Sequence, residues 1–227
     1  MPDLAANEIS EAKLADVLSR VAEDMIAAED EFQALDAALG DGDLGVTVRM
    51  GFQAIRQVCQ KSDHTPTSDI GTLLGTAGKA FMNANASTMG ALMGTAWVQA
   101  GKVTAQKTTI TLEDAVTMCR AAAEGIRRRG KAQLGDKTIL DAIFPASDAL
   151  AKASEDGKSC AEAFVLAAEA AERGVAATTP LQSQVSRASW LQERSMGLPD
   201  PGASLCAKLL RSIANRLGPV PEIRTPS

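Results

Sequence analysis

Leu14, Val17, Leu18, Val21 and Met25 follow one another at intervals of three and four, the spacing that gathers side chains on one face of a helix. The same spacing returns at Leu112, Ala115, Val116, Cys119, Ala123 and Ile126. Both stretches predict amphipathic helices. Similar patterns predict helices near 47–61, 69–84, 89–101, 139–154, 159–177 and 203–217, about eight in all. No segment alternates convincingly as a strand, and the alanine-rich run from Ala161 to Ala177 reads as helix. The expected class is all-α. Thr111 with Asp114 and Thr138 with Asp141 fit the capping box, in which a hydroxyl and a carboxylate satisfy orphan amides at a helix start.

Composition supports closely packed helices. Aromatics make up 3% of the chain and tyrosine is absent, while alanine fills many apolar positions. With 227 residues the chain is within the roughly 250 that one core can serve, so residues 1–217 are expected to form one domain. A tail over 218–227, with three prolines, is expected to fray. The net charge of −5, without a block of five like-charged residues, argues against nucleic-acid binding. No long uncharged apolar run suggests a membrane span, and Met1 to Ser10 does not read as a signal segment, so a cytoplasmic protein is expected. Cys59, Cys119, Cys160 and Cys206 form no CxxC and read as buried free thiols. The single histidine, His64, sits in a polar turn, and without GxSxG neither a Ser-His-Asp hydrolase nor a histidine-based metalloenzyme is plausible.

Three connections rich in Gly, Asp and Ser stand out: 40–45, 130–138 and 186–202. The first belongs to a segment holding Asp36, Asp41 and Asp43 within eight residues, together with Gly40, Gly42 and Gly45. Clustered carboxylates suit a hard divalent cation, and magnesium in particular is shared between a few carboxylates, waters and phosphates. A solvated Gly-Asp turn is the other reading. A calcium EF-hand fails, because the twelfth position from Asp41 is Phe52 and not glutamate. Gly125 to Lys131 matches the first seven positions of a P-loop, but Ala132 stands where the magnesium-binding hydroxyl belongs. Arg127, Arg128 and Arg129 are more simply cations at a helix C-terminus. Ser87 and Thr88 precede a helix start that can bind an anion or be an ordinary capped turn. The segment 186–202 reads as an ordered flap, with Trp190 as apolar anchor and Asp200-Pro201-Gly202 as a stiff hinge. Arg187 and Arg194 can hold phosphate there, or serve in surface salt bridges.

Taken together, Leu35 to Gly51, the Gly130 to Ala142 segment with its Gly-Asp-Lys-Thr-x-Leu-Asp-Ala, and the run from Arg187-Ala-Ser-Trp to Asp200-Pro-Gly-Ala resemble the L subunit of dihydroxyacetone kinases. Order and spacing match over nearly the whole chain. The resemblance implies an antiparallel barrel of about eight helices with the nucleotide at one end. It implies that Asp36, Asp41 and Asp43 hold two magnesium ions and, with Arg187, form the catalytic set. It places Leu44, Gly45, Val46, Thr47, Ser87, Thr88, Gly130, Ile139, Arg187 and Asp200 where the family contacts ADP or ATP. Leu44 stands where histidine is usual, Thr47 where asparagine is usual, and Ala86 to Gly90 replaces a GGASG loop. The implied activity is phosphoryl transfer to dihydroxyacetone or a related short ketose. The implied partners are a K subunit that holds the ketose as a covalent adduct on a histidine and, where ADP is rephosphorylated in place, a phosphotransferase-system subunit. A homodimer is left open. The alternative is an ADP-bearing regulatory module that signals to a transcription factor.

Overall fold

The computed structural model describes residues 8–61 and 69–218; His64 and the tail expected to fray beyond Gly218 lie outside them. Nine α-helices occur among the described residues: α1 Glu11–Ala27, α2 Glu29–Leu39, α3 Leu44–Lys61, α4 Ile70–Ala84, α5 Thr88–Val103, α6 Leu112–Gly130, α7 Leu140–Glu155, α8 Cys160–Thr178 and α9 Pro201–Leu217. A 3-10 segment, Arg187–Ser195, precedes α9 and is broken at Gln192, where φ is 50°. No described helix is long and apolar enough to cross a membrane.

Eight of these helices close a ring. Contacts run from α1 to α3 and then in chain order from α3 through α9, which packs back on α1. These eight are the helices that the apolar spacing predicts. The ninth, α2, lies on α3 and α9 and touches the 3-10 segment. It escapes the periodicity reading because it is short and only Phe32 and Leu39 are fully buried, too few to mark a stripe. One small pairing departs from the expectation of no strand: β1, Ile9–Ser10, runs antiparallel to β2, Thr109–Ile110. Two residues are too short for alternation to register in sequence. Both Thr111–Asp114 and Ser159–Glu162 form complete capping boxes at the starts of α6 and α8.

Phe52 and Phe81 meet edge to face with centroids 5.3 Å apart in the core. Elsewhere the walls are thin because small residues line the crossings. A Cβ on Gly94 of α5 would stand 2.6 Å from the Gly78 carbonyl oxygen of α4, and one on Gly101 would stand 2.7 Å from that of Gly71. On α8, Ala163, Ala167, Ala168, Ala171 and Gly174 present a buried small face. A Cβ on Gly174 would lie 2.1 Å from the Asp141 carbonyl oxygen, in the first turn of α7.

Gly174→Ala is therefore expected to destabilise the fold by about 1–3 kcal/mol, the range for overpacking a rigid contact. Gly75→Ala on α4, whose Cβ would meet nothing within 4 Å, should stabilise by about 0.5–1 kcal/mol through helix propensity alone. Chemical denaturation of the two variants checks both signs.

Candidate functional site

Neighbouring helices of a closed ring run in opposite directions, and the consequence is visible at one end of the barrel. A cavity of about 480 Å³ is lined there by the starting residues Leu44 of α3, Thr88 of α5, Leu140 of α7 and Pro201 of α9. The closing residues Leu39 of α2 and Gly130 of α6 line it as well. Four helix N-termini thus converge on one space. Each brings amides without intrahelical acceptors and a partial positive charge, which is the setting an anionic ligand needs. Residues of all three Gly/Asp/Ser-rich connections reach this cavity.

The acidic turn joins α2 to α3. Asp36, in the last turn of α2, accepts through Oδ2 from the amides of Asp43 at 2.9 Å and Leu44 at 3.2 Å, and so caps the next helix. Gly40 is required beside it, since a Cβ there would lie 2.6 Å from Asp36 Oδ1. With Asp36 fixed, one carboxylate oxygen from each of Asp36, Asp41 and Asp43 falls within 4.8 Å of the others. Asp41 and Asp43 are exposed to the cavity side. Three hard oxygen donors at this spacing, beside a cavity of nucleotide size, fit magnesium with a phosphate ligand.

Of the four consecutive positions that the family resemblance assigns to nucleotide contact, only Leu44 lines the cavity; Gly45, Val46 and Thr47 do not. They lie within α3, where each residue turns about 100° from the last, so a run of four fans around the axis. Gly45 instead packs on α2, where a Cβ would stand 2.4 Å from the Glu29 carbonyl oxygen. Thr47 is buried behind the wall: its Oγ1 donates to Ser87 Oγ at 3.1 Å and accepts from Asn85 Nδ2 at 2.8 Å. It therefore supports Ser87, which caps α5 by accepting from the Gly90 amide at 2.9 Å. Ser87, Thr88, Gly130 and Ile139 do line the cavity, with Met89, Leu92 and Ile126 completing an apolar wall.

Lys137 is the residue whose role sequence reasoning missed. It is 1% exposed, and its ammonium donates to the carbonyls of Ser195 at 2.7 Å, Leu181 at 2.9 Å and Thr179 at 3.2 Å. Nothing in local pattern marks a buried lysine; its place between Asp136 and a helix start was the available signal. Asp141 organises the same loop, accepting from the amides of Gly135 at 2.6 Å and Thr138 at 2.7 Å. The carboxylate arm of the expected Thr138 capping box is thus present, while the Thr138 hydroxyl accepts from Leu140 and not from Asp141. Asp200 caps α9, accepting from the Ala203 amide at 2.7 Å, and Pro201 fills the first helical position. Burial pushes the Asp200 carboxyl up to about 7; the Ala203 amide opposes the shift, the charge of Asp141 adds to it, and Lys137 opposes it. Burial also draws the Lys137 ammonium down, against the pull of Asp200.

The 3-10 segment crosses the mouth. Arg187 forms an ion pair with Asp41 and lines the cavity, whereas Arg194 does not line it. Trp190 is not the apolar anchor expected from sequence, since it is 80% exposed. The anchors are polar: the Lys137 ammonium, and Ser195 Oγ, which accepts from the Ser183 amide at 2.9 Å and donates to the Gln192 carbonyl at 2.6 Å.

A carboxyl with a raised folded-state pKa stabilises the protein most below its unfolded value near 4, and that contribution is lost as pH rises through about 7. Asp200→Asn keeps an acceptor for the α9 amide but cannot ionise. The variant is expected to flatten the decline in stability between about pH 4 and pH 7, an effect of up to about 4 kcal/mol at roughly 1.4 kcal/mol per pKa unit. Denaturation midpoints of both proteins across that range test it.

Comparison with known proteins places the chain in a family. The model of the DAK2 domain matches residues 38–215. The chain is 33% identical over 192 residues to the ADP-binding subunit of the PEP-dependent dihydroxyacetone kinase of Escherichia coli, covering 84% of this chain and 90% of that protein. It is 36% identical over 191 residues to the L-erythrulose 1-kinase of Mycolicibacterium smegmatis, covering 83% of this chain but 33% of the longer kinase. The dihydroxyacetone kinase of C. freundii superposes with a TM-score of 0.68 at 25% identity, over 89% of this chain and 34% of that one. The same enzyme in complex with AMP-PNP and Mg2+ superposes with a TM-score of 0.65 at 24% identity, over 88% of this chain and 33% of that one. The chain thus spans about a third of those longer kinases and most of the length of the separate ADP-binding subunit. With the family model matching residues 38–215 and a relative 33% identical over most of both chains, this protein belongs to the DAK2-domain family, alongside the ADP-binding subunits of dihydroxyacetone kinases.

Proposed function

We propose that this chain is the nucleotide-binding, phosphoryl-transfer subunit of a ketose kinase. It would pass the terminal phosphoryl group of Mg-ATP, or of ADP rephosphorylated in place by a phosphotransferase-system subunit, to dihydroxyacetone or a related short ketose held on a separate K-type subunit. The observation that carries the reading is the meeting of three carboxylates, Arg187 and four helix N-termini at one cavity.

Phosphoryl transfer asks a protein mainly to position reactants and to spread charge. Asp36, Asp41 and Asp43 would hold two magnesium ions, which when bound neutralise charge on the phosphates. The starts of α5 and α9 would orient the phosphate oxygens, and the apolar wall of Met89, Leu92 and Ile126 would take the base. Arg187 answers the charge of Asp41 in this structure; were ions to take over that role, its guanidinium would be free to face the transferred group. The acceptor has to come from outside: His64 is the only histidine, it belongs to none of the motifs, and it lies outside the described residues.

Asp41→Asn with Asp43→Asn is expected to weaken magnesium-dependent ADP binding by about tenfold or more, some 1.4 kcal/mol, in calorimetric titration with and without magnesium. Unchanged affinity and metal dependence would remove the carboxylates from the site. In a kinase assay with dihydroxyacetone, the isolated chain is expected to be inert and to turn over only with the K-type subunit of its source organism. Turnover by the chain alone, unaffected by His64→Ala, would contradict the division of labour.

A further inference from the structure

The strap from Leu181 to Ser195, which carries Arg187 along the rim of the cavity, is pinned at both ends and strained between them. Two of its non-glycine residues take a left-handed φ: Ser186 at 59° with ψ of −167°, and Gln192 at 50° with ψ of −128°. The Ser186 conformation falls in a region open almost only to glycine, and such a backbone persists only where its surroundings impose it. Arg187 follows Ser186 directly, and its ion pair with Asp41 sets it against the acidic turn.

The imposing contacts converge on Lys137. Its ammonium donates to the carbonyls of Leu181 and Ser195, the two ends of the strap, and to that of Thr179. Around it the Ser183 amide donates to Ser195 Oγ, the Gln184 amide to the Asp136 carbonyl at 3.1 Å, and the Gly197 amide to the Thr179 carbonyl at 2.9 Å. Lys137 itself has a left-handed backbone, with φ of 62°, in a loop whose Gly135 and Thr138 amides are bound by Asp141. A lysine that lines a cavity of nucleotide size suggests a phosphate ligand. An ammonium has three protons, however, and here three carbonyls take them. At 1% exposure it has none left to turn toward a phosphate, so its influence on the cavity passes through the strap.

We propose that Lys137 is a positioning residue for phosphoryl transfer: by tying both ends of the strap to one point it forces Ser186 and Gln192 into their strained turns, and so fixes where Arg187 meets the transferred group. The inference rests on the phosphoryl-transfer reading. The acidic turn and the Ser87 cap belong to other elements, α2, α3 and α5, and are held by hydrogen bonds of their own. Loss of the clamp should therefore separate transfer from nucleotide binding.

The test pairs hydrogen exchange of the nucleotide-free chain with steady-state kinetics. Lys137→Met keeps the stem and removes the three donors. It is expected to speed exchange of the Gln184 and Gly197 amides about tenfold or more, with the amides of α4 unchanged. The kinetics use dihydroxyacetone, the K-type subunit of the source organism and whichever donor wild type uses, Mg-ATP or the phosphotransferase-system subunit, all saturating. There the rate of Lys137→Met should fall about tenfold to a hundredfold, the cost of an ångström-scale misplacement, while calorimetric Mg-ADP affinity stays within about threefold. Ser195→Ala removes the hydroxyl that receives the Ser183 amide; it should act in the same direction, and it carries the same comparisons if Lys137→Met does not fold. Ser186→Gly supplies a residue at ease in the strained turn, so the loss caused by either variant should be several-fold smaller in its presence. A loss equal with and without Ser186→Gly marks a merely structural lysine and overturns the proposal. An unaltered rate at saturation overturns it too, as does a loss seen chiefly in Mg-ADP affinity or exchange at Gln184 and Gly197 that matches wild type. Failure of the wild-type pair to phosphorylate ketose with either donor removes the functional reading itself, a different result from wild-type turnover with insensitive variants.

Discussion

Helices joined by short connections close into an even-numbered ring only when each runs against both of its neighbours. That constraint decides where everything else in this protein is placed. Alternation puts the starts of α3, α5, α7 and α9 at one end, and with them a surplus of unsatisfied amides. Such an end is poorly suited to burial against apolar groups and well suited to anions. Side-chain caps answer part of the surplus: Asp36 for α3, Ser87 for α5 and Asp200 for α9. The same caps hold the polar wall of the cavity in place, so capping and ligand-site construction are here one task. Thin helix crossings, such as Gly94 on Gly78, let the ring close around a small core.

The loops at that end are ordered by buried polar groups as well as by apolar contacts such as those of Ala132, Val185 and Ala188. One ammonium, Lys137, gathers three carbonyls from two loops that are distant in sequence from it. Asp200 lies close enough to both Asp141 and Lys137 to feel their charges, and its own charge acts on Lys137 in return. Removing either sign from such a set leaves the other uncompensated in a place with little water, which is why these groups are coupled in a way that surface ion pairs such as Arg20–Asp16 are not.

Much of this was legible in the chain, for reasons that can be named. Each helix of the ring buries a broad stripe, as α1 does with Val17, Leu18, Val21 and Met25, so periodicity finds it. The acidic turn announces itself because three carboxylates among glycines have few structural uses. What stayed hidden depends on direction and depth. Gly45, Val46 and Thr47 follow a cavity residue in sequence, but helical rotation carries them away from it. Trp190 looked like an anchor because tryptophan is expected inside, and its exposure is a property of the assembled rim. Lys137 was hidden because its partners are backbone carbonyls, which a sequence does not distinguish from any others.

The helix that carries Asp36 is not one of the eight that close the ring. α2 rests on α3 and α9 from outside the cycle of contacts, and the acidic turn hangs from its end. Architecture and chemistry are for that reason inherited through different parts of the chain. A lineage could lose the carboxylates of the turn, and with them its ions, while the cylinder of helices persisted as a scaffold for another use. The reverse is not open to it: a break in the ring would scatter the helix starts to which the turn is matched. Descent with a changed role is thus easier here than descent with a changed fold.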